Sequence, residues 1–174
     1  MNIIQVVGYK NSRKTTISSM LIKEATELGL TVGSCKHHGH GVPDVVQGTD
    51  SFTHQRAGAV ISGVEGEGVL NLSITKKFWD LQGILAFYKL IQLDWVIVEG
   101  FKNELYPKIV LIRNEQDLKL IEELNEVVCV LLPGDCNIRP QEGIHYFDRS
   151  DHPRFLQWFR QYITESKMNI KEDE

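Results

Sequence analysis

GYKNSRKTT, residues 8–16, follows directly on an apolar run formed by residues 3–7. The stretch matches a phosphate-binding loop of the form G-x-x-x-x-G-K-[ST], except that Arg13 stands in place of the second glycine. An apolar strand before such a loop and a helical pattern after it are the context that the loop requires. The stretch therefore predicts an α/β fold whose first strand ends at a phosphate site.

The length and composition of the chain limit the types of protein to which it can belong. It has 174 residues and a formal net charge of −4, which predicts one domain, residues 1–166, and a charged C-terminal tail, residues 167–174. The mild charge does not favour a nucleic-acid or membrane partner, and neither a signal peptide nor a membrane-spanning run is visible. The three cysteines are few and scattered, which is typical of reduced thiols. We expect a cytoplasmic, intracellular protein.

Short runs rich in Val and Ile alternate with segments of helical period, which favours a mostly parallel sheet flanked by helices. Residues 59–64 and 68–74, with glycine in the turn between them, predict an additional β-hairpin whose exposed edge suits a homodimer. The predicted strands are residues 3–7, 30–35, 95–98, 109–112 and 127–132, and the predicted helices are residues 16–28, 80–90, 115–123 and 151–165.

The loop residues predict how phosphate would bind. A turn between a strand and a helix points backbone N–H groups inward, and the helix dipole adds positive potential. By their positions in the pattern, Lys14 reaches the terminal phosphates and the hydroxyl of Thr15 is a magnesium ligand. The alternative interpretation is a charged loop that only caps a helix. The position of the loop directly after the first predicted strand favours the interpretation as a nucleotide site.

Arg13 is the departure from the pattern. Glycine at this position lets the backbone approach the phosphates and adopts positive φ readily. A long side chain does so at a cost of about 1–3 kcal/mol. A guanidinium could offset part of that cost by pairing with a phosphate oxygen. We therefore expect a functional but weakened site.

A second site element is DWVIVEG, residues 94–100. Phosphate-loop proteins carry an acidic residue at the end of a neighbouring strand, where it holds magnesium or its water shell. Glu99 lies at the C-terminal end of the predicted strand, where ligands bind in open α/β sheets, whereas Asp94 lies at the opposite end. An ordinary carboxylate at a strand exit is the alternative interpretation of Glu99.

A third element is the loop CKHHGHG, residues 35–41. Its cysteine and histidines (Cys35, His37, His38 and His40) could suit zinc, but they lack the paired spacing of closed metal sites. We expect instead a polar loop at the same sheet edge, with Lys36 and the imidazoles facing phosphates or a substrate. A solvated loop without a role is the third possibility.

Asp50 is expected to cap a short helix and, with Arg56, to complete this side of the cleft. A lone helix cap and a surface arginine are the alternative interpretations of these two residues.

These motifs in this order resemble the MobB family of molybdopterin-guanine dinucleotide biosynthesis accessory proteins. The resemblance covers residues 2–113 and rests on GYKNSRKTT, KHHGHG, DSFTHQRAGA, VIVEGFKNE and PKIVLIR. It implies a P-loop NTPase-like α/β fold and a phosphate loop that departs from the family at Arg13. By position it implies that GTP and Mg²⁺ contact Gly8, Asn11, Ser12, Lys14, Thr15, Thr16, Asp50, Ser51 and Glu99.

The resemblance also implies a function. Such proteins assist the guanylyltransferase that joins GMP to molybdopterin, and they are homodimers with weak GTPase activity. The resemblance therefore implies three partners, which are the guanylyltransferase, molybdopterin and a second copy of this chain. The sequence has no N-K-x-D element, so preference for guanine over adenine rests on the resemblance alone.

Two other hypotheses stay open. One is a non-hydrolysing scaffold, with a degenerate loop, that binds the guanylyltransferase or its pterin. The other is a small kinase, which shares the phosphate loop, although no arginine-rich lid segment follows the central strand.

Overall fold

The structure is a computed structural model that describes the backbone of residues 1–39 and 49–170 and side chains as far as residue 166. Its strands are β1 (Asn2–Gly8), β2 (Val32–Lys36), β3 (Ile61–Gly66), β4 (Val69–Ile74), β5 (Trp95–Glu99), β6 (Lys108–Leu111), β7 (Val127–Leu132) and β8 (His145–Asp148). Its helices are α1 (Lys14–Glu27), α2 (Asp50–Arg56), α3 (Leu81–Lys89), α4 (Lys119–Glu123) and α5 (His152–Ile170). The chain divides into two compact units, Met1–His37 with Leu85–Glu174, and His38–Ile84.

The first unit contains a six-stranded sheet in the order β2-β5-β1-β6-β7-β8, and every pair in it is parallel. The order confirms the predicted mostly parallel sheet. Within it, Glu99 of β5 lies opposite Val6 of β1 and Lys36 of β2. The carboxyl ends of these three strands therefore meet at one edge, where ligands bind in such sheets.

Apolar side chains cover both faces of this sheet, which is why its central strands are nearly continuous apolar runs. On one face α1 and α5 contribute Ile17, Leu21, Phe155 and Phe159 to a core cluster that includes Ile4. On the other face, a second core cluster includes apolar side chains of α4 and Val7 of β1. Burying each such side chain contributes about 1.5–3 kcal/mol. The two clusters hold β1, and hence the loop after it, from both sides.

The second unit contains the predicted hairpin, an antiparallel pair of β3 and β4. The turn is Glu67-Gly68, whereas the predicted turn covered residues 65–67, and both residues have positive φ, 50° and 80°. Positive φ at both central residues matches the twist of a two-residue hairpin. The helix α2 begins after Thr49, whose side chain accepts a hydrogen bond from the Phe52 N–H. The prediction that Asp50 caps this helix is therefore wrong.

Three other elements differ from the sequence predictions. The strand β8 was not predicted. The predicted helix over residues 115–123 is a 3-10 turn, Glu115–Asp117, followed by the short α4. Helix α5 continues to Ile170, so the backbone of residues 167–170 in the predicted tail is helical. Among the described residues, no helix combines the length and apolar character needed to cross a membrane.

Candidate functional site

The loop between β1 and α1 has the compact shape that its sequence predicts. A Cβ on Gly8 would lie 2.6 Å from Oγ of Ser12 and 2.8 Å from the carbonyl oxygen of Leu111, so only glycine fits there. Asn11 and Arg13 have positive φ values of 64° and 68°. The loop thus does require at Arg13 the left-handed conformation that glycine adopts most easily.

The N-terminus of α1 presents free donors to this loop. Arg13 is the N-cap residue, and its side chain makes no capping hydrogen bond. The first N–H bonded back into the helix is that of Ile17, which donates to the carbonyl of Arg13 at 3.1 Å. The N–H groups of Lys14, Thr15 and Thr16 precede it and have no helical partner. Together with the dipole of a fourteen-residue helix they favour an anion at the loop.

Lys14 folds back over the loop. Its Nζ donates to the carbonyl oxygens of Gly8 at 3.0 Å and Tyr9 at 2.7 Å. Burial lowers the pKa of Lys14, while the negative charge of Glu99 acts in the opposite direction. The positive charges of Lys36 and Arg113 lower the pKa further. An anion beside Lys14 would relieve this unfavourable environment.

Thr15, Glu99 and Lys36 form a polar cluster beside the loop. The hydroxyl of Thr15 donates to the carboxylate of Glu99, with 2.9 Å to Oε2 and 3.2 Å to Oε1. The ammonium of Lys36 lies 3.4 Å from Oε1 of Glu99 and 3.3 Å from Oγ1 of Thr15. The Glu99 side chain is only 10% exposed. The structure thus brings together the two residues predicted to hold magnesium.

The backbone after Glu99 is fixed by a buried glutamine. Gln5 lies in the middle of β1 and is fully buried, and its Nε2 donates to the carbonyls of Gly100 at 2.9 Å and Phe101 at 2.8 Å. Gly100 has a φ of 94°, and its own N–H donates to Val6. These bonds set the direction in which the chain leaves β5. In the sequence, Gln5 is the one polar residue in the apolar run of residues 3–7, and a buried polar side chain of this kind indicates a hydrogen-bonding role.

His37 lies at the edge of this cluster. Its backbone N–H donates to the carbonyl of Glu99 at 2.9 Å, and its ring lies 4.7 Å from that of Phe101. His40 lies outside the described residues. Within residues 1–39 and 49–170, no three His, Cys, Asp or Glu side chains gather as a metal site would need.

Arg113 and Asp117 clamp the loop from the side of β6. Arg113 donates from Nε and Nη2 to the two carboxylate oxygens of Asp117, at 2.7 and 2.9 Å, and from Nη1 to the carbonyl of Lys10 at 2.9 Å. Its guanidinium also lies 5.3 Å from the centre of the Tyr9 ring. The hydrogen bond from Arg113 is the main reason that the pKa of Asp117 is lowered. Sequence analysis did not identify this pair, because the i,i+4 spacing indicates a contact only within a helix and Arg113 lies in the bend after β6.

Ser12, Arg13 and Thr16 line a small pocket at the first turn of α1, which Arg149 and His152 also line. The latter two follow β8 and begin α5, and sequence analysis did not mark them. Asp50 lies in the second unit, so its predicted contact with nucleotide stays a prediction.

The chain was compared with known proteins and structures. Residues 3–132 match the model of a protein family described as molybdopterin guanine dinucleotide synthesis protein B. A probable molybdopterin-guanine dinucleotide biosynthesis adapter protein of Bacillus subtilis (strain 168) is 34% identical over 151 residues, 86% of each chain. The molybdopterin-guanine dinucleotide biosynthesis adapter protein of Haemophilus influenzae is 31% identical over 129 residues, 72% of this chain and 71% of that protein.

Solved structures give the same result. A crystal structure of a MobB protein homolog from Bacillus stearothermophilus has a TM-score of 0.77 and 32% identity, and covers 95% of this chain and 99% of that chain. The crystal structure of Bacillus subtilis MobB has a TM-score of 0.76 and 34% identity, and covers 91% and 95%. These likenesses confirm the P-loop NTPase-like α/β fold with its additional hairpin.

Proposed function

The chain belongs to the MobB family, the molybdopterin guanine dinucleotide synthesis proteins B, and on that premise we propose that it is a GTP-binding accessory protein of molybdenum cofactor biosynthesis. In this proposal it assists the guanylyltransferase that joins GMP to molybdopterin. The observation that carries the proposal is the contact of the Thr15 hydroxyl with the Glu99 carboxylate beside a phosphate loop. Preference for guanine rests on family membership.

Each part of the site has a role in binding the nucleotide. The N–H groups at the start of α1 and the ammonium of Lys14 would hold the phosphate oxygens. The hydroxyl of Thr15 and the carboxylate of Glu99 are hard oxygen donors 2.9 Å apart, which suits magnesium because this ion takes few protein ligands and retains water. Magnesium supplies charge that offsets the phosphates.

We propose that hydrolysis is weak. Two acidic side chains lie near the phosphate loop among the described residues: Glu99 is engaged by Thr15 and Lys36, and Asp117 is engaged by Arg113. A carboxylate engaged in this way does not suit the role of a base for an attacking water. The protein would then act through its partner and not through turnover of its own.

A homodimer is part of the proposal, with the hairpin as its interface. Ile61, Leu70 and Leu72 lie on one face of the β3–β4 pair, as their register and the alternation of side chains require. They are 53%, 59% and 51% exposed. Exposed apolar side chains clustered on one hairpin face indicate an interaction surface. A second copy presents the same face, so a two-fold axis would cover both.

The direct test is isothermal titration of the protein with GTP, ATP and GDP in magnesium. We expect micromolar affinity for GTP and weaker binding of ATP. The alternative function is a non-hydrolysing scaffold for the guanylyltransferase or its pterin. Arg13 favours this alternative, because a left-handed position that glycine occupies in an intact loop holds a long side chain here. Absence of binding by all three nucleotides would support the scaffold. Fast phosphoryl transfer to a small acceptor would support a kinase.

A further inference from the structure

Lys36 contacts the same two groups that are proposed to hold magnesium. Its ammonium lies 3.3 Å from Oγ1 of Thr15 and 3.4 Å from Oε1 of Glu99. A cation thus already sits beside the Thr15–Glu99 pair, and it is supplied by the protein.

We propose that Lys36 and a divalent cation exclude each other at the Thr15–Glu99 pair. Lys36 holds the pair while no nucleotide is bound, and its ammonium moves to the nucleotide phosphates when the magnesium complex binds. The inference rests on the proposed GTP site, which it deepens by adding a residue that couples metal binding to phosphate binding.

The fold places Lys36 at the pair but leaves its charged end free to move. Lys36 is the last residue of β2 and lies opposite Glu99 in the parallel register. The next residue, His37, donates its backbone N–H to the carbonyl of Glu99 at 2.9 Å, which fixes the backbone. The Lys36 side chain is 56% exposed. A flexible four-carbon stem anchored at one end allows the ammonium to swing without a change in the sheet.

The charges explain why the two cations compete. The side chain of Glu99 is 10% exposed, and a carboxylate so deeply buried needs a positive partner. Lys36 provides one charge, whereas magnesium provides two. With both at the same oxygens the ammonium and the ion would repel each other at close range. The metal therefore binds poorly until Lys36 leaves.

The phosphate oxygens of a nucleotide would offer the Lys36 ammonium an alternative partner to Glu99. Lys36 lies close enough to Lys14 for its charge to lower the pKa of Lys14, so the two ammonium groups repel each other. Phosphate oxygens held at the loop by Lys14 would attract both lysines. Nucleotide and metal would then assist each other's binding.

The test uses Lys36→Met, which keeps most of the side-chain volume and removes the charge, with Lys36→Arg as a charge-retaining variant. The matched control is Lys23→Met, which removes an exposed lysine on α1 that pairs with Glu27 at 3.8 Å. Mn²⁺ binding without nucleotide is measured by electron paramagnetic resonance, because Mn²⁺ accepts the same oxygen ligands. GTP binding is measured by calorimetry in magnesium and in EDTA.

We expect Lys36→Met to bind Mn²⁺ about threefold or more tightly without nucleotide, and GTP about tenfold more weakly in both magnesium and EDTA, the low end for a lost charge-assisted hydrogen bond. Lys36→Arg and Lys23→Met should resemble the wild type in Mn²⁺ binding. Unchanged or weaker Mn²⁺ binding by Lys36→Met overturns the inference. If the wild type binds no nucleotide, the proposed function fails, whereas the Mn²⁺ measurement still decides whether Lys36 and the metal compete.

Discussion

The hydroxyl of Thr15 lies 2.9 Å from Oε2 of Glu99, although the two residues are 84 positions apart in the chain. Thr15 is in the first turn of α1, and Glu99 ends β5, which pairs with the strand before the loop. The contact therefore depends on the order of strands in the sheet. It joins the phosphate loop to the acidic strand end.

Glu99→Gln should weaken GTP binding in magnesium, because a neutral amide is a poor ligand for a hard divalent ion. In EDTA the affinity should change little, since the amide can still accept the hydrogen bond from Thr15. Titration calorimetry under both conditions measures the difference. Glu122→Gln, an exposed position on α4, is the control. Equal losses with and without magnesium would show that Glu99 has a structural role only.

Lys14→Ala should lower GTP affinity by about ten- to a hundredfold, which corresponds to roughly 1.5–3 kcal/mol for a charge-assisted contact. The ammonium already lies over the loop carbonyls, so phosphate would find it in place. Lys23→Ala, on an exposed turn of the same helix, should bind GTP like the wild type. A folded Lys14→Ala protein with unchanged affinity would refute the assignment.

Arg13→Gly should tighten GTP binding severalfold in magnesium and leave the fold intact. Glycine would leave no Cβ between the loop backbone and the phosphates, and it avoids the cost of about 1–3 kcal/mol that a long side chain incurs at φ 68°. Within the part of the chain that the structure describes, no ion pair of Arg13 would be lost. Calorimetry compares the two proteins, and circular dichroism checks the fold. Weaker binding by Arg13→Gly would mean that the guanidinium is itself a phosphate ligand.

The exposed face of the hairpin predicts the oligomeric state. The wild type should sediment as a dimer at tens of micromolar, and Leu70→Ser with Leu72→Ser should shift it to monomer because both side chains belong to the proposed interface. Val69→Ser is the matched control: Val69 is 59% exposed but lies on the opposite face of the hairpin. Analytical ultracentrifugation makes the comparison. A monomeric wild type, or equal dissociation by the control, would count against this interface.

The Arg113–Asp117 clamp predicts a dependence of stability on pH. Asp117 is 2% exposed, so Asp117→Asn should lower the thermal midpoint at pH 7 on the order of 5 °C. Because the hydrogen bond from Arg113 lowers the folded pKa of Asp117 below 3.8, its contribution is complete above that value. It is lost as the pH falls through the folded pKa. Thermal unfolding between pH 7 and 3, with Asp135→Asn as control, should show the difference shrinking in acid. A constant difference would show that the charge is not its source.

The predicted parts of the molecule share one property, which is a strong local signal. The apolar strands before Gly8 and Glu99 are short continuous runs, and the loop residues have fixed spacing, so the sequence indicates their meeting at one sheet edge. The hairpin is visible for the same reason.

The parts that were missed depend on contacts between distant residues or on fine competition between neighbours. The strand β8 is four residues of mixed polarity, His145–Asp148, and forms because β7 offers it an edge. Thr49 and Asp50 are both good capping residues, and only the backbone decides which one caps α2. The clamp of Arg113 on Lys10 joins residues 103 positions apart, which no local pattern records.

The central place of β1 has a consequence for the order of events during synthesis. Both neighbours of β1, β5 and β6, lie in the second half of the chain. During synthesis, β1 therefore stays unpaired until β5 has left the ribosome. The strands β3 and β4 are neighbours in the chain, so they can pair as soon as both have been synthesised. A nascent chain stopped before residue 95 would display an apolar strand without partners and no phosphate site. The proposed nucleotide site can therefore form only after residues 95–111, which include β5 and β6, have been synthesised.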